Sequence, residues 1–180
     1  MKSAFAALIV LGAAKVVSPT ANSDGRLSQY AVPSFTVGFQ QANERGEITE
    51  RVPNGETVER WSSMLTDQRF TGVAQRLTPQ AYAANIFGAI PSFCPAGKGI
   101  IMNQGQVSRR PAVTLRVDCP KNPATGLPET NMMLVVAGPR DMHVRQIAWR
   151  RLPTVADLEF AQTYFRATSW CTRTKKGFAC

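Results

Sequence analysis

Hydrophobic and polar positions along this chain fall into blocks of two periods, and the longest block has period two. Val113, Leu115 and Val117 alternate with Thr114, Arg116 and Asp118, the pattern of a strand buried on one face. Met132 to Ala137 is apolar throughout, which predicts a central strand covered on both sides. Gly138-Pro139-Arg140-Asp141 is a turn, and Met142 to Arg150 returns as the second arm of a hairpin. Between these strands the Pro- and Gly-dense stretch from Cys119 to Glu129 predicts a loop. Two more strands stand at Phe35–Phe39 and Ile48–Val52, joined by the turn signal Asn43-Glu44-Arg45-Gly46, and another runs from Gly97 to Gly105.

Elsewhere the period is helical. Val58, Trp61, Leu65 and Gln68 lie at i, i+3, i+7 and i+10, which predicts a helix from Glu56 to Phe70 with Trp61 as a core anchor. Thr78-Pro79 is an N-cap followed by a proline in the first turn, and Tyr82, Ile86, Ala89 and Ile90 supply an apolar face up to a stop at Pro91. Thr154-x-x-Asp157 resembles a capping box and opens a last helix with Leu158, Ala161, Tyr164 and Phe165 on its stripe. The predicted order is ββ-α-α-ββ-ββ-α. Hairpin-linked strands set apart from helices imply an α+β fold, with a roughly six-stranded antiparallel sheet and helices packed on it.

Residues 1–21 read differently. Lys2 followed by the apolar run Ala4–Ala14 and small residues is a signal-peptide pattern, too short to span a bilayer. Residues 22–34 are polar and aperiodic and read as a flexible leader, leaving 35–180 as a single domain. Four cysteines behind an export signal predict two disulfides. Of the three pairings, Cys94 with Cys119 and Cys171 with Cys180 is preferred because each closes a short loop. On the chain-entropy model these loops contribute roughly 3.5 and 2.7 kcal/mol. The absence of any C-x-x-C and the presence of one histidine, His143, argue against a metal site. The expected location is periplasmic or secreted.

Charge adds a partner class. With 21 Lys and Arg against 12 Asp and Glu the formal charge is +9, which favours an anionic partner: an acidic protein, a small anionic ligand or an anionic membrane surface. Nucleic acid fits poorly with export. The basic residues concentrate in the second half of the sheet and its turns, at Arg109, Arg110, Arg116, Arg140, Arg145, Arg150 and Arg151. By the strand period His143, Arg145, Ile147, Trp149 and Arg151 share one face. Guanidinium groups match phosphate and carboxylate in bidentate fashion, so Arg116, His143, Arg145, Trp149 and Arg151 form the candidate binding set. The competing expectation is that Ile147 and Trp149 pack under a helix while the arginines extend to its rim.

The segments VPNGETVERW (52–61), DCPKNPATGLPE (118–129) and IAWRR (147–151) resemble a family of small exported uncharacterised proteins of Gram-negative bacteria. The predicted element order also looks like a PsbP/Mog-like α/β/α sandwich. That resemblance implies a non-catalytic binding or assembly module without a cofactor, and it carries over no site residues. The sequence has no G-x-S-x-G, no phosphate-binding glycine loop and no thiol-exchange pair. The leading reading is therefore a periplasmic module whose basic face meets a partner in the cell envelope. The alternatives are an enzyme with an unfamiliar site around His143 and peripheral association with anionic membranes.

Overall fold

The computed structural model describes residues 25–180; the predicted export segment and the first residues of the leader lie outside them. The elements are β1 (Gly25–Leu27), β2 (Phe35–Asn43), β3 (Gly46–Pro53), β4 (Ser63–Phe70), α1 (Pro79–Phe93), β5 (Lys98–Val107), β6 (Arg110–Cys119), β7 (Glu129–Ala137), β8 (Met142–Trp149), α2 (Val155–Arg166), β9 (Trp170–Thr174) and β10 (Gly177–Ala179). Seven strands form one antiparallel sheet in the order β2-β3-β4-β8-β7-β6-β5, and β1, β9 and β10 form a second, three-stranded sheet. The chain lays down β2, β3 and β4 from one edge inwards. It then crosses to the far edge through α1, and the meander β5-β6-β7-β8 returns to pair with β4.

This architecture overturns the expected six-stranded sheet and the order ββ-α-α-ββ-ββ-α. Among the described residues there are two helices, and the protein is mostly β. The helix expected from Glu56 to Phe70 does not form; Ser63–Phe70 is β4, paired with β3 on one side and β8 on the other. The physical reason lies in the second periodicity of the same residues. Read with period two, Leu65, Asp67 and Arg69 point to one face and Met64, Thr66 and Gln68 to the other. Met64 and Leu65 are 2% and 1% exposed on opposite faces. Full burial of each contributes about 1.5–3 kcal/mol, which outweighs helix propensity differences of a few tenths per residue. Val58 and Trp61 match the helical spacing because their loop folds back over Val52, Met64 and Ala148 as a small satellite core. Glu56 fixes that loop by accepting hydrogen bonds from the Ser62 N–H and hydroxyl at 2.6 and 2.7 Å.

The two other additions come from the chain ends. Gly25–Leu27, inside the segment read as a leader, pairs antiparallel with β9, and the basic tail forms the β9–β10 hairpin. The remaining patterns match. β7 is buried at all positions, β7 and β8 pair as a hairpin, and the Thr154 cap closes a complete capping box with Asp157. Thr78 caps α1 through the Ala81 N–H, but that helix runs past Pro91 to Phe93. A proline this close to the C-terminal end removes one late hydrogen bond, and the Cys94 N–H to Ile90 carbonyl bond at 2.8 Å keeps the last turn closed.

Each face of the large sheet has its own core. α1 packs Ala83 and Ile90 on Val113, Leu115, Val117, Met133, Val135 and Val144. α2 packs Ala161, Tyr164 and Phe165 on Leu65, Met132, Leu134, Ile147 and Trp149, with Leu27 and Trp170 of the small sheet beside them. Both preferred disulfides are present, Cys94–Cys119 tying the end of α1 to the end of β6 and Cys171–Cys180 closing the β9–β10 hairpin. Two disulfides and no free cysteine among the described residues place the protein in an oxidising compartment. No described helix is long and apolar enough to cross a membrane.

Replacing Cys94 and Cys119 together with serine should lower stability by about 3 kcal/mol while leaving the fold intact. Urea unfolding followed by tryptophan fluorescence, with and without reductant, measures the loss; reductant should add only the contribution of Cys171–Cys180.

Candidate functional site

The α2-side face of the large sheet changes character along β8. At the Trp149 end it is apolar, and at the Met142 end it is charged. Strand register sets Arg145 opposite Asp67 and His143 opposite Arg69, with Leu134 and Val136 of β7 on their other side. β3 continues the row, with Thr49 opposite Asp67 and Glu47 opposite Arg69. β1 and Phe178 of β10 border this row, leaving a half-open cavity of about 250 Å³. Arg26, Arg51, Arg69 and Arg145 line it together with Glu47, Asp67, His143 and Phe178.

Arg145 is 2% exposed and each of its three nitrogens donates one hydrogen bond. Its Nε donates to Asp67 Oδ1 at 2.8 Å, one Nη to the Thr168 hydroxyl at 2.9 Å, and the other Nη to the Ser28 carbonyl at 2.7 Å. The guanidinium also lies 5.0 Å from the centre of the Tyr164 ring. Asp67 accepts a second charged bond, from Arg51 at 2.9 Å. Arg69 bridges Glu47 at 3.2 Å and the fully buried Asp141 at 3.0 Å, and Asp141 also accepts from Arg140 and from the Gly72 N–H. Burial raises the Asp141 pKa, but these donors together hold it below the ordinary carboxylate value.

His143 is the exception in this ion-paired row. It is 4% exposed, its ring stands edge-on to Trp170 at 5.0 Å, and its Nε2 has no hydrogen-bond partner among the described residues. Burial lowers its pKa to about 4, with Asp141 and Asp67 opposing and Arg69 assisting. The imidazole is therefore neutral at physiological pH. Arg26, whose guanidinium lies 4.4 Å from the Phe178 ring centre, likewise has a buried Nε without a hydrogen-bond partner.

Of the five candidate residues, the fold brings His143 and Arg145 into one cavity and separates the others from it. Trp149 is 1% exposed and sits in the α2-side core. Arg151 lies beyond β8 and pairs with Asp157 at the start of α2. Arg116 pairs with Asp118 on β6 at 2.9 Å. The sequence reading missed Arg26, Glu47, Arg51, Asp67, Arg69 and Phe178. Arg26, Asp67, Arg69 and Phe178 sit on segments read as a leader, a helix or a tail; only Asp67 and Arg69 had a signal, their alternation with Leu65. Among the described residues no group of three or more His, Cys, Asp and Glu could hold a metal. No protein-family model matches the chain, and no curated protein matches it either.

Two outcomes follow from this arrangement. Arg145→Met should destabilise the protein by about 1–3 kcal/mol, because it removes a buried donor from Thr168, the Ser28 carbonyl and the part-buried Asp67, whereas Arg151→Ala, which breaks a half-exposed pair, should cost no more than about 1 kcal/mol. Urea denaturation of both variants distinguishes the buried ion pair from the surface one. The His143 pKa falls on folding, so the unfolded chain binds its proton first as the medium is acidified. Stability should be full above pH about 6.5 and fall progressively towards pH 4, by about 3 kcal/mol from this residue. Parallel denaturation curves of His143→Gln across that window should lack this component of the slope.

Proposed function

We propose that this is a non-catalytic binding or assembly module of the periplasm, and that the His143 cavity receives an anionic group of its partner in the cell envelope. One observation carries the reading: two buried nitrogens without hydrogen-bond partners, on His143 (Nε2) and Arg26 (Nε), belong to residues lining a cavity whose other arginines, Arg51, Arg69 and Arg145, are paired with Asp67, Glu47 and Asp141. Buried polar groups ordinarily find a hydrogen-bond partner, so a pair left open, one of them on a guanidinium, fits a carboxylate or phosphate oxygen. A neutral imidazole with its proton on Nε2 donates to such an oxygen without an additional charge to desolvate. The overall charge of +9 acts on the same partner at longer range by steering it to the surface.

Catalysis has less support. A general base needs a nucleophile or substrate proton within hydrogen-bond reach, and His143 Nε2 meets no hydroxyl, thiol or carboxylate among the described residues. The two disulfides and the signal-like start of the sequence support an exported location.

Inorganic phosphate and acetate are the probes. At ten times its dissociation constant a bound anion stabilises by about 1.4 kcal/mol, which should raise the melting temperature by roughly 3–6 °C. Thermal melts at constant ionic strength, set with chloride, should show that saturable rise. Arg26→Met should reduce it several-fold with the basal melting temperature little changed. A rise that follows ionic strength and not the identity of the anion, or that survives in Arg26→Met, would overturn the assignment.

A further inference from the structure

The large sheet ends on β5, and the outer edge of that strand is built to receive another strand. We propose that an extended, acidic peptide segment of a partner protein adds to β5 as an eighth strand, with alternate side chains entering a cleft between β5 and α2. This surface is separate from the His143 cavity, and binding here does not depend on that cavity.

β5 pairs with β6 alone, so the backbone N–H and C=O groups of every second residue face outward without a strand partner. The strand is ten residues long, KGIIMNQGQV, and carries a single charge, Lys98. Ile100, Ile101 and Met102 are 54%, 38% and 43% exposed. Three adjacent exposed apolar residues on a long edge strand are what soluble proteins normally avoid. A register shift between Ile101 and Asn103 is what places them on the surface together.

Beside this edge, on the α2 face, lies a cleft of about 400 Å³. Register puts Asn103 next to Thr114 and Gly105 next to Ala112, so small residues form the floor, with Leu134 beneath and Phe165 as the wall. The only charged side chain among the described lining residues is Arg166, at the end of α2. The mouth of the cleft is the two-residue turn Ser108-Arg109, both at positive φ (47° and 68°). Neither is glycine, so the turn is strained, and the Ser108 hydroxyl accepting from the Trp170 N–H at 3.0 Å holds it in place. Arg166 therefore lines the cleft with no described acidic residue beside it, while Arg109 sits in the adjoining turn and Arg110 lies over the Trp170 ring at 5.4 Å.

Strand edge, adjoining helix and a slot between them are the elements of peptide recognition by strand addition: the backbone supplies affinity and the slot reads alternate side chains. The charge selects the occupant. A second copy of this chain is disfavoured because two β5 edges meeting antiparallel would set Lys98 of one copy against the Arg109-Arg110 end of the other, between bodies of the same +9 charge. An acidic segment meets Arg166 and no opposing acid among the described lining residues, on a chain of net positive charge.

The test uses a fluorescein-labelled synthetic peptide, Asp-Val-Asp-Val-Glu-Val-Asp, titrated by anisotropy against the exported form of the chain with both disulfides formed. Saturable binding below about 1 mM that weakens several-fold between low and physiological salt is expected. The same peptide with lysine at the acidic positions, or with proline at alternate positions to remove backbone donors, should bind at least about tenfold more weakly. Gly105→Leu fills the slot without straining the backbone, since a Cβ there meets only the Asn103 amide at 3.9 Å. It should weaken binding about tenfold at an unchanged melting temperature, and Arg166→Glu several-fold, whereas Arg26→Met should leave binding unaltered. Absence of saturable binding, equal binding of the lysine peptide, or indifference to both Gly105→Leu and Arg166→Glu would overturn the proposal. So would sedimentation showing a dimer that Ile101→Lys converts to monomer, because the edge would then be occupied by a second copy.

Discussion

The buried guanidinium of Arg145 is the constraint on which the arrangement of the two sheets depends. A guanidinium cannot shed its proton to escape a dry environment, so burying it obliges the surrounding chain to supply acceptors. Three segments of the protein comply. Asp67 comes from β4, Thr168 from the turn after α2, and the Ser28 carbonyl from the segment leaving β1. One side chain therefore fixes the large sheet, the last helix and the small sheet relative to each other. A well-packed apolar residue could be as stabilising, so the gain from such a centre is chiefly geometric: few arrangements give an acceptor to each of its three nitrogens. Asp141 has the converse role at the neighbouring end of β8, where its carboxylate collects Arg69, Arg140 and the Gly72 N–H and so anchors the start of the crossover to α1.

What the sequence makes legible divides along the same line. Elements specified by local chemistry are readable: the Thr154–Asp157 capping box, the Thr78 cap and the apolar Met132–Ala137 run of β7, and, among three pairings, the two disulfides that close the shortest loops. β4 is unreadable by periodicity alone, because Val58, Trp61 and Leu65 satisfy a helical spacing by coincidence while Met64 and Leu65, adjacent in sequence, are both buried. A residue pair of that kind belongs to a strand with cores on both faces, and nothing local announces that β3 and β8 will flank it. β1 and β10, three residues each, are weaker still as signals; they exist as strands because β9 lies between them.

The candidate site was partly visible for a related reason. The sequence locates arginines and assigns them to a face, but it does not distinguish those consumed in ion pairs from those with unsatisfied donors. Arg151 and Arg116 find acids close in sequence, six and two residues away. Arg145 finds its acid 78 residues away, and only because residues 63–70 form a strand. Once those pairs are made, the chemical identity of the cavity no longer comes from the most basic strand. It comes from two nitrogens left without a hydrogen-bond partner, Nε2 of His143 on β8 and Nε of Arg26 on β1.

Net charge and exposed edges then become a single problem. β2 and β5 both end the large sheet, both are nine or ten residues long, and both expose apolar side chains, Val37 and Phe39 on one and Ile100, Ile101 and Met102 on the other. Proteins commonly protect such edges with lysine, proline or a covering element. Here each edge strand has one register irregularity, between Val37 and Phe39 and between Ile101 and Asn103, which interrupts a flat pairing surface. The rest of the protection is electrostatic and acts at the level of the whole molecule. Like copies carrying +9 repel before their edges can meet, with a range set by a Debye length of about 8 Å at physiological salt. Repulsion between copies disfavours edge-to-edge pairing, and on the strand-addition proposal the same charge would favour a segment of opposite sign.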